Sequence, residues 1–250
     1  MRVTHDDDKW IRRFQPAAAD AVQLVCFPYA GGSASYYFPL AKALAPGIEV
    51  AAVQYPGRQE RYREPCIDDL AALADAVYPS VRELADRPLA FFGHSMGAVL
   101  AFEVALRLEE RAGVKLEVLF TSGRRAPSRH KESDHVHLRD DAGVISEMRA
   151  LEGTESAVLQ DPELMQLVLP ALRADYRAIE TYRGAPDASV TCPMVTLTGD
   201  ADPRVEVDEA RAWEQHTSGG FDFRVLSGGH FFLNDHLPAL TEMIKDRLGA

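Results

Sequence analysis

Residues 89–106 carry the pattern that most restricts what this chain can fold into. Leu89-Ala90-Phe91-Phe92 is a short apolar run, Gly93-His94-Ser95-Met96-Gly97 follows it, and from Ala98 onward Val99, Leu100, Phe102, Val104 and Leu106 keep the next stretch apolar. A Gly-x-Ser-x-Gly turn between a strand and a helix is a nucleophile elbow. The serine sits on a sharp bend that projects its hydroxyl, and the glycines leave room for strand and helix to approach. The helix amino terminus behind Ser95 also brings unpaired N–H groups and the positive end of the helix dipole to the place where an oxyanion would form.

The rest of the chain alternates strand and helix patterns around that unit. Val22 to Phe27 reads as a buried strand ending at Pro28, followed by the glycine-rich loop Tyr29-Ala30-Gly31-Gly32-Ser33-Ala34. A short helix over Tyr36–Leu44, a strand over Ile48–Gln54, the charged loop Tyr55 to Arg61 and an amphipathic helix over about Ile67–Leu84, with Pro79 as a kink, lead to the elbow. The elbow helix closes at Gly113, and Leu116–Thr121 makes the next strand. Met194–Thr198 and Phe221–Leu226 read as the last two strands, with helices over Val207–His216 and Leu237–Leu248. Such alternation predicts an α/β fold with a mainly parallel, doubly wound sheet and functional loops at the carboxyl ends of its strands.

Two stretches break the rhythm. Residues 1 to about 20 read as an arm with Trp10, Ile11 and Phe14 as anchors. Residues 128–188 hold a polar stretch, Arg129 to Asp141, and helical spacings over Val144–Leu151, Pro162–Leu169 and Pro170–Tyr182. An all-helical insert between strands is most simply a lid, because its apolar faces need something to cover. The expected division is a core of 1–127 and 189–250 with a helical lid of 128–188.

Net charge of −11 argues against nucleic acid or an anionic membrane as partner, since the overall field would repel both. Cys26, Cys66 and Cys192 are odd in number and far apart, which suits small core residues in a reducing cytoplasm. The amino-terminal residues lack the basic start and apolar run of a signal peptide, and no apolar stretch approaches a membrane span. The expectation is a cytoplasmic protein, monomeric by default.

Three strand ends carry candidates for chemistry, in the order Ser95, an acid near 200, then His230. Nucleophile, acid, histidine is the order of the α/β-hydrolase fold and differs from those of the chymotrypsin and subtilisin folds. A serine needs an imidazole to take its proton, and the imidazole needs a carboxylate to fix its tautomer. Asp200 and Asp202 compete for the acid. Asp202, three residues beyond the strand-terminal Gly199, is favoured, and Asp200 is left to bond nearby loop N–H groups. The oxyanion donors expected are the N–H groups of Met96, next after the nucleophile, and Ala30, after the first strand. His94 is expected to point away from the site. The remaining histidines, His5, His130, His135, His137, His216 and His236, read as solvated, and His135-x-His137 is too sparse for a metal, so no metal and no bound cofactor are expected.

At this point the chain resembles the type II thioesterases that work beside polyketide synthases and non-ribosomal peptide synthetases. The resemblance spans nearly the whole chain. It rests on Cys26 to Ala34, on Tyr55-Pro56-Gly57-Arg58 with Glu60 and Arg61, on the elbow, on Ser122 to Pro127, on Leu172-Arg173-Ala174-Asp175-Tyr176 with Glu180 and Tyr182, and on Gly228 to Leu233. It implies hydrolysis of aberrant or stalled acyl groups from the phosphopantetheine thiol of acyl or peptidyl carrier proteins, beneath a helical lid. Carrier proteins are usually acidic, so an acidic enzyme would need a local basic patch. Arg58, Arg61 and Arg63, and Arg124, Arg125, Arg129 and Lys131, are the candidates. The rivals are a general carboxylesterase or lipase on the same fold, a chain-releasing thioesterase, and a catalytically silent carrier-binding protein.

Overall fold

The computed structural model describes residues 9–131, 135–152 and 161–249. His5, part of the expected amino-terminal arm, and two pieces of the 128–188 segment lie outside the described residues. Seven strands form one sheet: β1 (Ile11–Arg13), β2 (Val22–Phe27), β3 (Ile48–Val53), β4 (Leu89–His94), β5 (Val118–Ser122), β6 (Met194–Gly199) and β7 (Phe221–Leu226), in the order β1-β3-β2-β4-β5-β6-β7. All neighbouring pairs are parallel except β1 with β3. This is the α/β-hydrolase type of sheet, with β4 at its centre.

The strands read as near-continuous apolar runs because helices cover both faces. One face packs Val25, Phe27, Phe91 and Leu119 against α2 (Leu70–Arg82) and α3 (Met96–Ala112). The other packs Leu24, Phe92, Phe120 and Leu197 against α1 (Phe38–Leu44) and, near the carboxyl terminus, α7 (Leu237–Leu248). Local signals set the helix ends. Asp69 accepts a hydrogen bond from the Ala72 N–H at 2.8 Å and caps α2, and Gly113 ends α3 with φ +63°.

Between β5 and β6 lie α4 (Asp141–Glu152) and α5 (Pro162–Thr181), and between β6 and β7 the short α6 (Val207–Arg211) runs on as a 3-10 turn to His216. The inserted helices have their own small apolar cluster of Val136, Val144, Met165, Leu169 and Leu172, against which Ala30 of the core packs.

Two elements depart from the sequence reading. Residues 11–13 form an edge strand, with Ile11 buried opposite Val53, where an arm ahead of the domain was expected. Pro170 lies inside the single helix α5, where a helix boundary was expected, because Met165, Leu169 and Leu172 on either side of it share one buried face and packing overrides local propensity. Among the described residues no helix is long and apolar enough to cross a membrane.

Candidate active site

Ser95 sits between the end of β4 and the start of α3 with φ +55° and ψ −119°, a conformation that a non-glycine residue adopts only when its surroundings enforce it. They do so here. The Ser95 N–H donates to Ser122 O at 2.8 Å, and a Cβ at Gly93 or Gly97 would lie 2.2 Å from Gly97 O or 2.0 Å from Phe27 O. Only glycine fits at either place, so the elbow is held by the backbone on both sides.

His230 reaches Ser95 from the loop after β7, and Asp202 reaches His230 from the loop after β6. His230 Nε2 is 3.0 Å from Ser95 Oγ, and His230 Nδ1 is 2.8 Å from Asp202 Oδ2. The Asp202 side chain is fully buried, and its other oxygen accepts from the Arg204 N–H at 2.8 Å. A carboxylate on Nδ1 keeps the proton there, which leaves Nε2 free to accept from the serine hydroxyl. Asp200 points elsewhere and accepts from the Gly228 N–H at 2.9 Å, steadying the loop that carries His230. Of the two aspartates, Asp202 is therefore the one the fold brings to the histidine.

His94 departs in part from its expected place. Its ring is fully buried, 5.2 Å from that of His230 between ring centres, and its Nδ1 pairs with Ser122 Oγ at 3.1 Å. Burial, and secondarily the neighbouring His230, push its pKa well below the ordinary histidine value, so it stays neutral beneath the site.

Ser95, His230 and Ala30 line a cavity of about 90 Å³ together with Leu172, Tyr176 and Tyr182. Met96 N–H opens α3, where no carbonyl lies one turn back to accept it. The hydrogen bonds of the Ala30 loop come from the two residues after it: Gly31 N–H donates to Asp175 Oδ2 at 2.7 Å and Gly32 N–H to Tyr29 O at 2.9 Å. Among the described residues no group of three or more His, Cys, Asp or Glu is placed to hold a metal ion.

Sequence reasoning missed the side chains that fasten the inserted helices to the core. Arg58 and Asp175 form a buried bidentate pair at 2.6 and 2.8 Å, 8% and 1% exposed. Removing one partner of such a pair costs about 3–5 kcal/mol by leaving a buried charge uncompensated. Arg61 is likewise buried, bonded to Gln54 O and Glu64. These two arginines are thus structural, not available to an acidic partner. Of the seven basic candidates only Arg63, Arg129 and Lys131 are exposed, and Lys131 pairs with Glu206 and Glu209.

His216 is also buried, contrary to the solvated role expected of it. Its Nδ1–H donates to Ala188 O at 2.7 Å and its Nε2 accepts from Ser128 Oγ at 3.0 Å, so one imidazole ties together both ends of the 128–188 segment. Tyr182 OH donates to Glu103 of α3 at 2.5 Å, and burial and that carboxylate raise the Tyr182 pKa. Each partner lies tens of residues away from its mate, and no local pattern announces the pairing.

A family model described as a thioesterase domain matches residues 22–248. The chain is 52% identical over 249 residues to a "probable cadicidin biosynthesis thioesterase" of Streptomyces griseus, covering 98% of this chain and 68% of that protein. It is 50% identical over 244 residues to thioesterase PikA5 of Streptomyces venezuelae, covering 97% and 86%. Among solved structures, the type II thioesterase BorB from the borrelidin biosynthetic cluster superposes with a TM-score of 0.91 at 49% identity, covering 96% of this chain and 97% of that one.

Proposed function

The chain belongs to the thioesterase family, and from that premise we propose that it clears acyl groups from the phosphopantetheine arm of carrier proteins in a polyketide or non-ribosomal peptide pathway. The observation that carries the reading is the hydrogen-bonded relay from Ser95 Oγ through His230 to buried Asp202, open to a cavity beside the Ala30 loop. Ser95 attacks the thioester carbonyl as His230 Nε2 takes its proton, and the N–H groups of Met96 and Ala30 hold the oxyanion. His230 then protonates the departing pantetheine thiolate. Water, deprotonated by the same nitrogen, attacks the acyl-serine; the bond to Ser95 Oγ breaks, the imidazolium returns its proton to that oxygen, and the acid leaves. Asp202, bonded to Nδ1, holds the ring in place and stabilises the imidazolium.

The similarity to thioesterases named for cadicidin and borrelidin biosynthesis supports a carrier-bound substrate. We read residues 128–188 as a lid over that cavity, and the role as editing of stalled modules. The exposed Arg63 and Arg129 are the remaining candidates for contact with an acidic carrier.

The test is hydrolysis of acetyl- and propionyl-loaded carrier protein against a p-nitrophenyl ester of equal chain length, with wild type and Ser95→Ala. Clearance that favours the carrier-bound thioester and vanishes in Ser95→Ala is expected. Equal turnover of the oxygen ester, with no advantage from the carrier, would replace this reading with a general esterase.

A further inference from the structure

The geometry points to Asp175, held by Arg58, as a positioning residue that sets the oxyanion loop in its working conformation, so that the loop is complete only while α5 is seated on it. The inference rests on the oxyanion role proposed above for Ala30.

Tyr29 to Gly32 is a tight turn closed by the Gly32 N–H to Tyr29 O bond of 2.9 Å. The Tyr29 carbonyl and the Ala30 N–H belong to one planar trans peptide and point in opposite directions, so fixing the carbonyl aims the N–H. Gly31, third in the turn, has φ +79°, the value that a type II turn requires at that position. The Ala30 N–H therefore keeps its aim only while Gly32 stays within reach of the Tyr29 carbonyl, and the two glycines that close the turn are held from outside it. Gly31 is held by Asp175, whose Oδ2 accepts its N–H at 2.7 Å.

Arg58 pairs with Asp175 in a buried setting and holds the turn from its other end. Its guanidinium binds both carboxylate oxygens, and Nη1 also donates to Gly32 O at 3.0 Å. Two consecutive residues after Ala30 are thereby fixed, one through its N–H and one through its carbonyl. Asp175 belongs to α5, and so does Leu172, whose Cδ1 would lie 2.7 Å from a Cβ on Gly31. The helix that walls the cavity is therefore also the brace of the loop. Lifting α5 would remove the acceptor from Gly31 and leave Arg58 without its carboxylate.

Two variants and two inhibitors test this. Asp175→Asn keeps the shape and loses the charge, and Arg58→Met/Asp175→Leu removes both charges together, which avoids stranding one in the interior. Deleting an oxyanion donor outright costs about 10²–10³-fold in kcat, so loosening one is expected to lower kcat by about 10-fold in Asp175→Asn and about 100-fold in the double variant, with KM within about twofold. A boronic acid that forms a tetrahedral adduct on Ser95 should lose affinity in step with kcat/KM, and an unreactive thioether analogue of the acyl-pantetheine should bind as to wild type. General structural damage would weaken both ligands. Wild-type kcat in both variants, or equal loss of the two ligands, would overturn the positioning role and leave the thioesterase reading intact. Thioester turnover that survives in Ser95→Ala would instead overturn the reading on which it rests.

Discussion

Ser95, Asp202 and His230 stand on loops leaving β4, β6 and β7, strands joined by a continuous ladder of backbone hydrogen bonds, whereas the opposite wall of the cavity stands on α4 and α5. The core holds the relay through backbone pairing and two large apolar clusters. The inserted helices have a cluster of five buried residues of their own, seat only Ala178 and Ile179 of α5 in the larger core cluster, and are otherwise fastened by side-chain ties such as Asp175 to Arg58, Glu147 to Arg204, Tyr182 to Glu103, and His216 to Ser128 and Ala188. The chemistry is thus carried by the rigid part, and the shape of the cavity by the part with fewer fastenings. A side-chain tie can be broken by one substitution, whereas a ladder cannot, so the two regions should respond differently to mutation.

The largest expected effect lies within the core. Asp202→Asn should lower kcat by about 10⁴-fold, the loss known when a triad aspartate is made neutral and the histidine tautomer is no longer fixed. Asp200→Asn keeps an acceptor for Gly228 and should stay within about tenfold of wild type. Steady-state hydrolysis of an acyl-pantetheine thioester reads both, and equal losses would mean that the relay depends on the loop and not on Asp202 itself.

Next comes packing. Phe91→Ala, in the fully buried centre of the sheet, should cost about 3–5 kcal/mol in urea unfolding, and Leu169→Ala in the small cluster about 2 kcal/mol. If the two cost the same, the inserted helices share the full cooperativity of the core and the contrast drawn above fails.

A smaller effect follows from pH. His94 and His216 are both held below the ordinary histidine value, chiefly by burial, so between their folded values and about 6.5 the unfolded chain binds more protons than the folded one. Their contribution is full above about pH 6.5 and declines as pH falls below it, by at most about 1.4 kcal/mol per unit for each group. His216→Gln should flatten part of that slope in urea midpoints measured from pH 7.5 to 5. An unchanged slope would mean that His216 does not sense the folded state.

Smallest is Tyr182→Phe. It removes one hydrogen bond to a carboxylate that Arg107 still pairs, and about 1 kcal/mol of stability should go with it, measured by the same unfolding assay. Turnover should hold within about threefold.

The same division governed what could be read from the sequence. Ser95 and Asp202 follow strands with a glycine at or beside the last position, and His230 follows a strand and the pair Gly228-Gly229, all local signals, so their placement could be anticipated residue by residue. β1 could not be anticipated, because three residues with two arginines show no alternation and become a strand only where β3 offers an edge. Arg58 reads as a surface charge until Asp175, 117 positions on, is seen beside it. His216 reads as a solvated helix end until Ser128 and Ala188 close around it. What local periodicity leaves unseen is the pairing of polar groups across long separations.

The Arg58–Asp175 pair also bears on how such an enzyme could be re-engineered. An insertion whose ends meet at a single histidine invites exchange with that of a relative to alter the acyl cavity. A chimera that brings in foreign helices without a carboxylate at position 175 would inherit the whole relay and still lose the partner of a buried guanidinium. The unit to transplant is therefore discontinuous: the helices together with the Tyr55–Arg61 loop, which lies in a different third of the chain.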